Sequence, residues 1–123
     1  MIAIQDATID FEIIQGDDET ITITFKDEDG VAINITGYTV FFTMKKRPDD
    51  DSDDSDAPIK KTVTSHTDPT HGITVVNLTS AETALLEPRR YVYDFQLKDL
   101  SNKITSSRYG VLEVIKDVTN RTT

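Results

Sequence analysis

Polar and apolar residues alternate along several stretches of this sequence. In "ETITITFK", Ile21, Ile23 and Phe25 alternate with threonines. The stretch "RYVYDFQLK" has the same spacing, and its apolar members are Tyr91, Tyr93, Phe95 and Leu97. A period of two puts alternate side chains on opposite faces of a strand, so each stretch predicts a strand with one buried face. The 18 threonines of the chain favour the same conclusion, because threonine suits pleated, half-buried surfaces and disfavours long helices.

Turn signals separate further strand segments. "TIDFEII" predicts a first strand, "DEDG" a turn, and "DLSNK" a hairpin turn before the last strand or pair of strands in "ITSSRYGVLEVIKDV". Ile59 and Val63 alternate with polar residues, and the early Lys60 and Lys61 are typical of a protected edge strand. The third strand has an inward set made of Tyr38, Val40, Phe42 and Met44. Together these segments predict an all-β, antiparallel β-sandwich of about seven strands with one short helix.

The short helix is predicted in "TSAETALLEP". Thr79 and Glu82 have the spacing of a capping box, and Pro88 ends the helical pattern. The segment is about two turns long, so we expect it to be stable only when it packs against a sheet.

Length and charge restrict the classes of function. The 123 residues predict a single domain over 1–123, with a flexible acidic loop at 48–58 that carries six of the nine net negative charges. An acidic domain without a basic stripe is repelled by nucleic acid, so no nucleic-acid partner is expected. The sequence has no apolar run near 18 residues and no secretory leader pattern, which predicts a cytoplasmic origin without a membrane partner. Without cysteine there are no disulfides, thiolate nucleophiles or cysteine metal sites.

The acidic loop "PDDDSDDSDAP" is the first candidate binding site. Asp49, Asp51 and Asp53 fit positions 1, 3 and 5 of a calcium-binding EF-hand, but Asp54 replaces the required glycine and Lys60 the final glutamate. A solvated hairpin loop is the favoured interpretation, because like charges repel one another and keep the loop extended. Weak calcium binding and contact with a basic surface of a neighbouring subunit are the alternatives. Either alternative involves Asp49, Asp50, Asp51, Asp53, Asp54 and Asp56.

Three further groups of residues are candidate sites. His66, Asp68 and His71 offer zinc ligands, but their spacing matches no short zinc motif, and surface turn residues are the favoured interpretation. Arg89 and Arg90 are interpreted as charged residues closing a loop rather than as an anion contact. Phe41 falls on the face opposite the inward set, where it either lies at an interface or fills a second small core under the helix.

No residue pattern for catalysis is present. Both histidines fall in one turn segment, no nucleophile system is visible, and the five glycines form no phosphate loop. The chain is therefore predicted not to be an enzyme and to need no cofactor. The N-x-T triplets at Asn34, Asn77 and Asn120 are not interpreted as glycosylation sites, and the first two are interpreted as turn and cap residues.

Four stretches in this order resemble a known family: "FEIIQGDDETITITFKDEDG", "INITGYTVFFTMKK", "LTSAETALLEPRRYVYDFQLKD" and "RYGVLEVIKDVT". They are similar to the immunoglobulin-like phage virion domain found at the N-terminus of baseplate upper proteins and in small tail proteins. The likeness runs from Phe11 to Thr119, although Arg89 and Arg90 stand where the family often has glycine. It implies turn, core and strand-pairing roles for the matching residues Gly16, Asp17, Gly37, Tyr38, Tyr91, Tyr93 and Asp94.

The resemblance implies a structural protein of a tailed-phage virion, in its tail, baseplate or neck. Such a protein would dock onto other virion structural proteins, in several copies or as a homo-oligomer, after assembly in the host cytoplasm. Candidate partner contacts are the segment Met1–Asp6, Phe41, the aspartate run and the tail Asn120–Thr123. The alternative is a calcium- or carbohydrate-binding module, and a third hypothesis, a DNA mimic or enzyme inhibitor, fits a mobile aspartate run poorly.

Overall fold

The chain folds into two facing β-sheets around one core. The computed structural model describes residues 10–47, 57–107 and 110–118. Its strands are β1 (Phe11–Ile14), β2 (Glu19–Thr24), β3 (Thr39–Lys45), β4 (Ile59–Val63), β5 (Ile73–Leu78), β6 (Arg90–Lys98), β7 (Ile104–Ser106) and β8 (Gly110–Ile115). A helix, α1 (Ser80–Ala84), joins β5 to β6, and a 3-10 turn (Pro69–His71) precedes β5.

Within the described part of the chain, the larger sheet has six strands and the smaller has two. The order of the larger sheet is β1-β8-β6-β3-β4, and β7 pairs with the far half of β6 beyond β8. The smaller sheet is the antiparallel pair of β2 and β5. Because β4 pairs only with β3 within the described residues, the edge strand predicted from its lysines is confirmed.

Two details of the prediction are corrected. β1 pairs with β8 in parallel, from Phe11 opposite Leu112 to Ile14 opposite Ile115, so the larger sheet is mixed rather than wholly antiparallel. The next strand, β2, belongs to the opposite sheet and does not pair with β1. The backbone of β1 therefore pairs with β8, which is distant in sequence. α1 has five residues and ends at Ala84 rather than at Pro88, because Leu86 turns inward and is buried in the core.

The predicted inward faces are confirmed. Val40, Phe42 and Met44 of β3 are fully buried, and so are all four predicted inward residues of β6. Ile23 and Phe25 are buried, whereas Ile21 and Tyr38 are half-buried and pack against the core. The centre of the core is aromatic, and its rings are those of Phe11, Phe25, Phe42, Tyr93 and Phe95.

Candidate docking surfaces

Gly16 and Asp17 anchor the turn after β1 to α1. Gly16 has φ of 88°, a left-handed conformation that glycine adopts without strain. Its backbone N–H donates to Thr83 Oγ1 at 3.0 Å, and that hydroxyl donates to the carbonyl oxygen of Asp17 at 2.8 Å. Thr83 is fully buried, so both bonds are shielded from water. The roles of Gly16 and Asp17 in this structure are therefore those of a turn docked on a helix.

Thr83 was missed by the sequence reasoning. It is the final residue of the "LTSAET" segment, but a threonine inside a short helix gives no sign of a long-range hydrogen bond. Two contacts flank it: Ser80 N–H donates to Asp18 Oδ1 at 2.7 Å, and Gln15 Nε2 donates to the carbonyl oxygen of Leu86 at 2.8 Å. These bonds attach the five-residue helix to the sandwich, which agrees with the expectation that it needs a sheet for support.

Replacing Thr83 by valine should destabilise the protein by about 2–4 kcal/mol. Valine has a similar shape but removes the fully buried hydroxyl that bonds the Gly16 N–H and the Asp17 carbonyl, and each unsatisfied group costs about 1–3 kcal/mol. Urea unfolding followed by circular dichroism measures the loss. Thr22→Val, on the exposed face of β2, is the matched control and should change the stability by less than about 0.5 kcal/mol. Equal effects of the two substitutions would contradict the role given to Thr83.

The predicted capping box of α1 is confirmed. Glu82 N–H donates to Thr79 Oγ1 at 3.2 Å, and Thr79 N–H donates to Glu82 Oε1 at 3.0 Å. Lys61 Nζ also lies 2.7 Å from Glu82 Oε2. The hydrogen bond from Lys61, followed by that from the Thr79 backbone, lowers the pKa of Glu82 below 4.5.

This lowered pKa gives a pH-dependent contribution to stability. Since the folded state favours the ionised Glu82, its contribution is present above pH 4.5 and is lost as the pH falls through the lower folded pKa. Glu82→Gln should therefore be less stable than the original chain at pH 7, by about 1 kcal/mol, with the gap shrinking below pH 4.5. Chemical unfolding across pH 3–7 measures it. In a Lys61→Met background, Glu82→Gln should cause a smaller loss of stability. An equally large loss in that background would show that Lys61 is not the main cause of the lowered pKa of Glu82.

The turn before β3 contains Gly37 and Tyr38. Gly37 has φ of 79°, and a Cβ there would lie 3.0 Å from Leu100 Cδ2. The carbonyl oxygen of Tyr38 lies 2.7 Å from His66 Nε2. Because a carbonyl only accepts, His66 donates from Nε2, and in the neutral ring its Nδ1 accepts from Thr74 Oγ1 at 2.9 Å.

The arrangement of the two histidines does not resemble a metal site. Both ring nitrogens of His66 take part in the hydrogen bonds that hold the fold, whereas His71 Nδ1 pairs with Asp68 Oδ2 at 2.9 Å at the exposed 3-10 turn. Across residues 10–47, 57–107 and 110–118, no three histidine, aspartate or glutamate side chains converge to hold a metal ion.

Tyr91 and Tyr93 serve the core, and Asp94 lies on the outer face. Tyr91 Oη donates to the carbonyl oxygen of Glu87 at 2.9 Å, and burial raises the pKa of this tyrosine. Burial, helped by the nearby Asp10 charge, raises the pKa of Tyr93 to about 12. Asp94 lies opposite Thr43 on the face turned away from the core.

Arg89 closes the loop before β6. Its guanidinium lies 5.5 Å from the centre of the Tyr91 ring and donates from Nη2 to the carbonyl oxygen of Lys46 at 3.1 Å. Its Nε donates to the carbonyl oxygen of Arg90 at 2.9 Å. These contacts agree with the loop-closing interpretation of Arg89.

Phe41 lies on the outer face of the larger sheet. It is half-buried between its cross-strand neighbours Gln96 and Thr62. The helix lies on the other side of this sheet, since Lys61, which contacts Glu82, is opposite the inward Phe42. This position does not fit a second small core under the helix, and it agrees with the alternative that Phe41 is an interface residue. The other predicted contacts, Met1–Asp6, the six aspartates of the acidic loop and Asn120–Thr123, lie outside the described residues.

Two concave surfaces lie at the margins of the sandwich. The helix-end pocket, of about 420 Å³, is bordered by Ile59, Lys60, Leu85, Leu86, Glu87 and Tyr91. Leu85 beside it is 87% exposed. The β2 groove, of about 220 Å³, lies between the sheets along β2 and is lined by Phe11, Tyr93, Phe95 and residues 19–22.

The fold and these surfaces define an immunoglobulin-like β-sandwich domain. Solved structures agree with this class. A fibronectin(III)-like module of Clostridium thermocellum CbhA has 13% identity and a TM-score of 0.50 over 98% of this chain and 100% of that one. CopC from Methylosinus trichosporium OB3b has 9% identity and a TM-score of 0.55 with the same coverage. None of the helices in the described parts of the chain is long and apolar enough to cross a membrane.

The family is shown by sequence. The sequence model of the BppU N-terminal domain matches residues 4–117. The chain therefore belongs to this family, the N-terminal domain of phage baseplate upper proteins, and the resemblance noted from its motifs is confirmed. The N-terminal domain of phage TP901-1 ORF48 has the same fold, with 15% identity, a TM-score of 0.62 and 94% of each chain covered. No curated protein matches the sequence. The family assigns the chain a structural role in a phage particle.

Proposed function

We propose that the protein is a non-enzymatic structural component of a tailed-phage virion that acts by docking onto other virion proteins. The observation that carries the proposal is the family match over residues 4–117. The tail, baseplate or neck is the location that fits a baseplate domain family. The proposal treats residues 1–123 as one domain, and it is supported by the single core to which strands from both ends of the described residues contribute.

The described surface supports docking as the mode of action. Leu85 is 87% exposed and borders the helix-end pocket, so an apolar side chain and a concave surface lie together at a place where a partner can dock. Phe41 adds a half-buried aromatic ring on the outer face, and aromatic residues are enriched in protein interfaces. By contrast, the buried motif residues Tyr91 and Tyr93 belong to the core and are not proposed as contacts.

The charge of the chain suits an electrostatic contact within the particle. Six aspartates lie within residues 49–56, and the chain carries a net charge of -9. A basic surface on a neighbouring subunit would attract this loop and speed association. Several copies around a symmetry axis would repeat the contact, so that weak single contacts add up to a stable attachment. Assembly in the host cytoplasm would precede incorporation into the virion.

Labelling of purified particles with antibodies tests this function. Antibodies raised against the isolated domain should decorate one region of intact particles, at the tail or neck rather than over the capsid surface. The same antibodies adsorbed with excess domain are the control. Absence of the protein from particles that are otherwise complete would refute a structural role in the virion.

A further inference from the structure

The outer edge of β2 has no strand partner among residues 10–47, 57–107 and 110–118. β2 pairs only with β5 among the residues described here. Just past the end of β2, Phe25 N–H donates to the carbonyl oxygen of Gly72 at 2.8 Å. This bond continues the pairing of β2 with β5 by one residue beyond the pair Thr24 and Ile73. Backbone groups alternate in direction along an antiparallel strand, so the N–H and C=O groups of Thr20, Thr22 and Thr24 point away from β5.

The β2 groove lies beneath this edge. Four consecutive residues, 19–22, form one wall, so the groove runs along the strand. The opposite wall and floor are aromatic: Phe11 packs edge-on against Tyr93, with ring centres 5.1 Å apart, and Phe95 lies beyond. A row of open backbone groups above an apolar slot is the geometry that accepts an extended peptide as an added strand.

The edge strands β4 and β2 are protected differently. Natural proteins block exposed edges with lysine, proline or bulges. β4 has Lys60 and Lys61, whereas the sequence of β2, "ETITIT", has no lysine or proline and pairs with β5 in unbroken register. Because β2 lacks these protecting residues, we expect another strand to cover its edge when the protein is assembled.

The chain itself supplies a suitable strand. Residues 1–9 precede the described part, and the stretch Ile2–Gln5 carries no charged side chain. Ile2 and Ile4 share one face of an extended strand and match the apolar floor of the groove. Nine residues span up to about 30 Å when extended, which exceeds the length of a six-residue strand.

Chain direction favours a second copy as the donor. β1 turns directly into β2, with Asp17 N–H donating to the carbonyl oxygen of Ile14, so Phe11 lies beside the middle of β2. The line of β1 extended backwards from Phe11 leads towards Thr24 and away from Glu19 and Thr20, so a strand that covers the Glu19–Thr20 end of the edge is supplied more directly by a neighbouring copy. We propose that the free edge of β2 and the β2 groove bind the segment Ile2–Gln5 of a second copy of this chain as an added strand. The proposal extends the multiple-copy assembly put forward under the proposed function.

Self-association of the purified full chain tests the proposal. Light scattering after size-exclusion chromatography should show dimers or larger species at high concentration. Ile4→Asp should raise the dissociation constant by at least about tenfold, since it removes an apolar side chain from the groove and adds a charge. Ile104→Asp, the same change at an exposed position on β7, is the control and should leave the dissociation constant within about twofold.

Hydrogen exchange separates the two possible donors. The amides of Thr20 and Thr22 should be protected only at concentrations where the oligomer forms. Protection in the monomer would show that a copy covers its own edge and would overturn the proposal, as would a chain that stays monomeric or an oligomer indifferent to Ile4→Asp. Antibody labelling of particles is independent of these results, so a monomeric protein found in particles would overturn this inference alone.

Discussion

Gly72→Ala should destabilise the domain by about 2–5 kcal/mol. Gly72 follows the 3-10 turn with φ of 74°, a left-handed conformation that costs a residue with a Cβ about 1–2 kcal/mol. A Cβ there would also lie 2.6 Å from the carbonyl oxygen of Phe25 and 2.8 Å from that of Ile33. Both oxygens belong to the backbone and cannot move aside as a flexible side chain would. Overpacking of this kind adds about 1–3 kcal/mol.

The contacts at Gly72 explain why this glycine matters more than others. Phe25 N–H donates to the carbonyl oxygen of Gly72 at 2.8 Å, and Ile33 N–H donates to that of Phe25 at 3.0 Å. Moving either strand end to admit a methyl group lengthens these bonds where β2, β5 and the loop before β3 meet. The substitution therefore weakens the smaller sheet at its attachment to the rest of the sandwich.

Gly30→Ala is the matched control. Gly30 has a similar φ of 79°, but a Cβ there meets nothing within 4 Å. Its substitution should cost only the conformational penalty, about 1–2 kcal/mol. Urea unfolding followed by circular dichroism compares the two variants. Equal losses of stability in the two variants would contradict the close contact of a Gly72 Cβ with the carbonyl oxygens of Phe25 and Ile33.

Phe42→Ala should cost about 3–5 kcal/mol, and its neighbour Phe41→Ala less than about 1.5 kcal/mol. Phe42 is fully buried, with its ring centre 5.1 Å from that of Phe95 and 5.7 Å from that of Tyr93. Removing a buried ring loses its transfer free energy and leaves a cavity among the remaining aromatic rings. Phe41 is half-buried on the outer face, so its truncation opens no internal cavity.

The adjacent pair tests the orientation of β3. A shift of register by one residue would exchange the two faces, so Phe41→Ala would then be the damaging substitution. Thermal unfolding monitored by far-ultraviolet circular dichroism measures both variants under the same conditions. In the particle, Phe41→Ala should weaken incorporation while leaving the isolated domain stable, because its proposed role lies at an interface.

The sequence predicts most of what is local in this fold. Alternation identified the buried faces of β3 and β6, because one face of each strand is covered and the period of two is then strict. Thr79 and Glu82 identified the start of the helix, because a capping box is a contact between residues three apart. Lys60 and Lys61 identified an edge strand by the protection that edges require.

What the sequence did not predict depends on contacts between distant residues. The parallel pairing of β1 with β8 joins Phe11 to Leu112, and no local pattern records such a partner. The hydroxyl of Thr83 bonds to a turn 66 residues earlier, and the length of the helix depends on the inward turn of Leu86. The β2 groove likewise exists only when the two sheets face each other, so its lining cannot be read from any one segment.

Quantitative mass spectrometry of purified phage particles tests the central claim most directly. The account predicts that this chain remains with the particles through density-gradient purification and is present at a constant copy number greater than one per particle. Its amount should follow that of the tail proteins when tails are separated from heads. Absence of the chain from the particles, or trace amounts that fall with each purification step, would contradict a structural role in the virion.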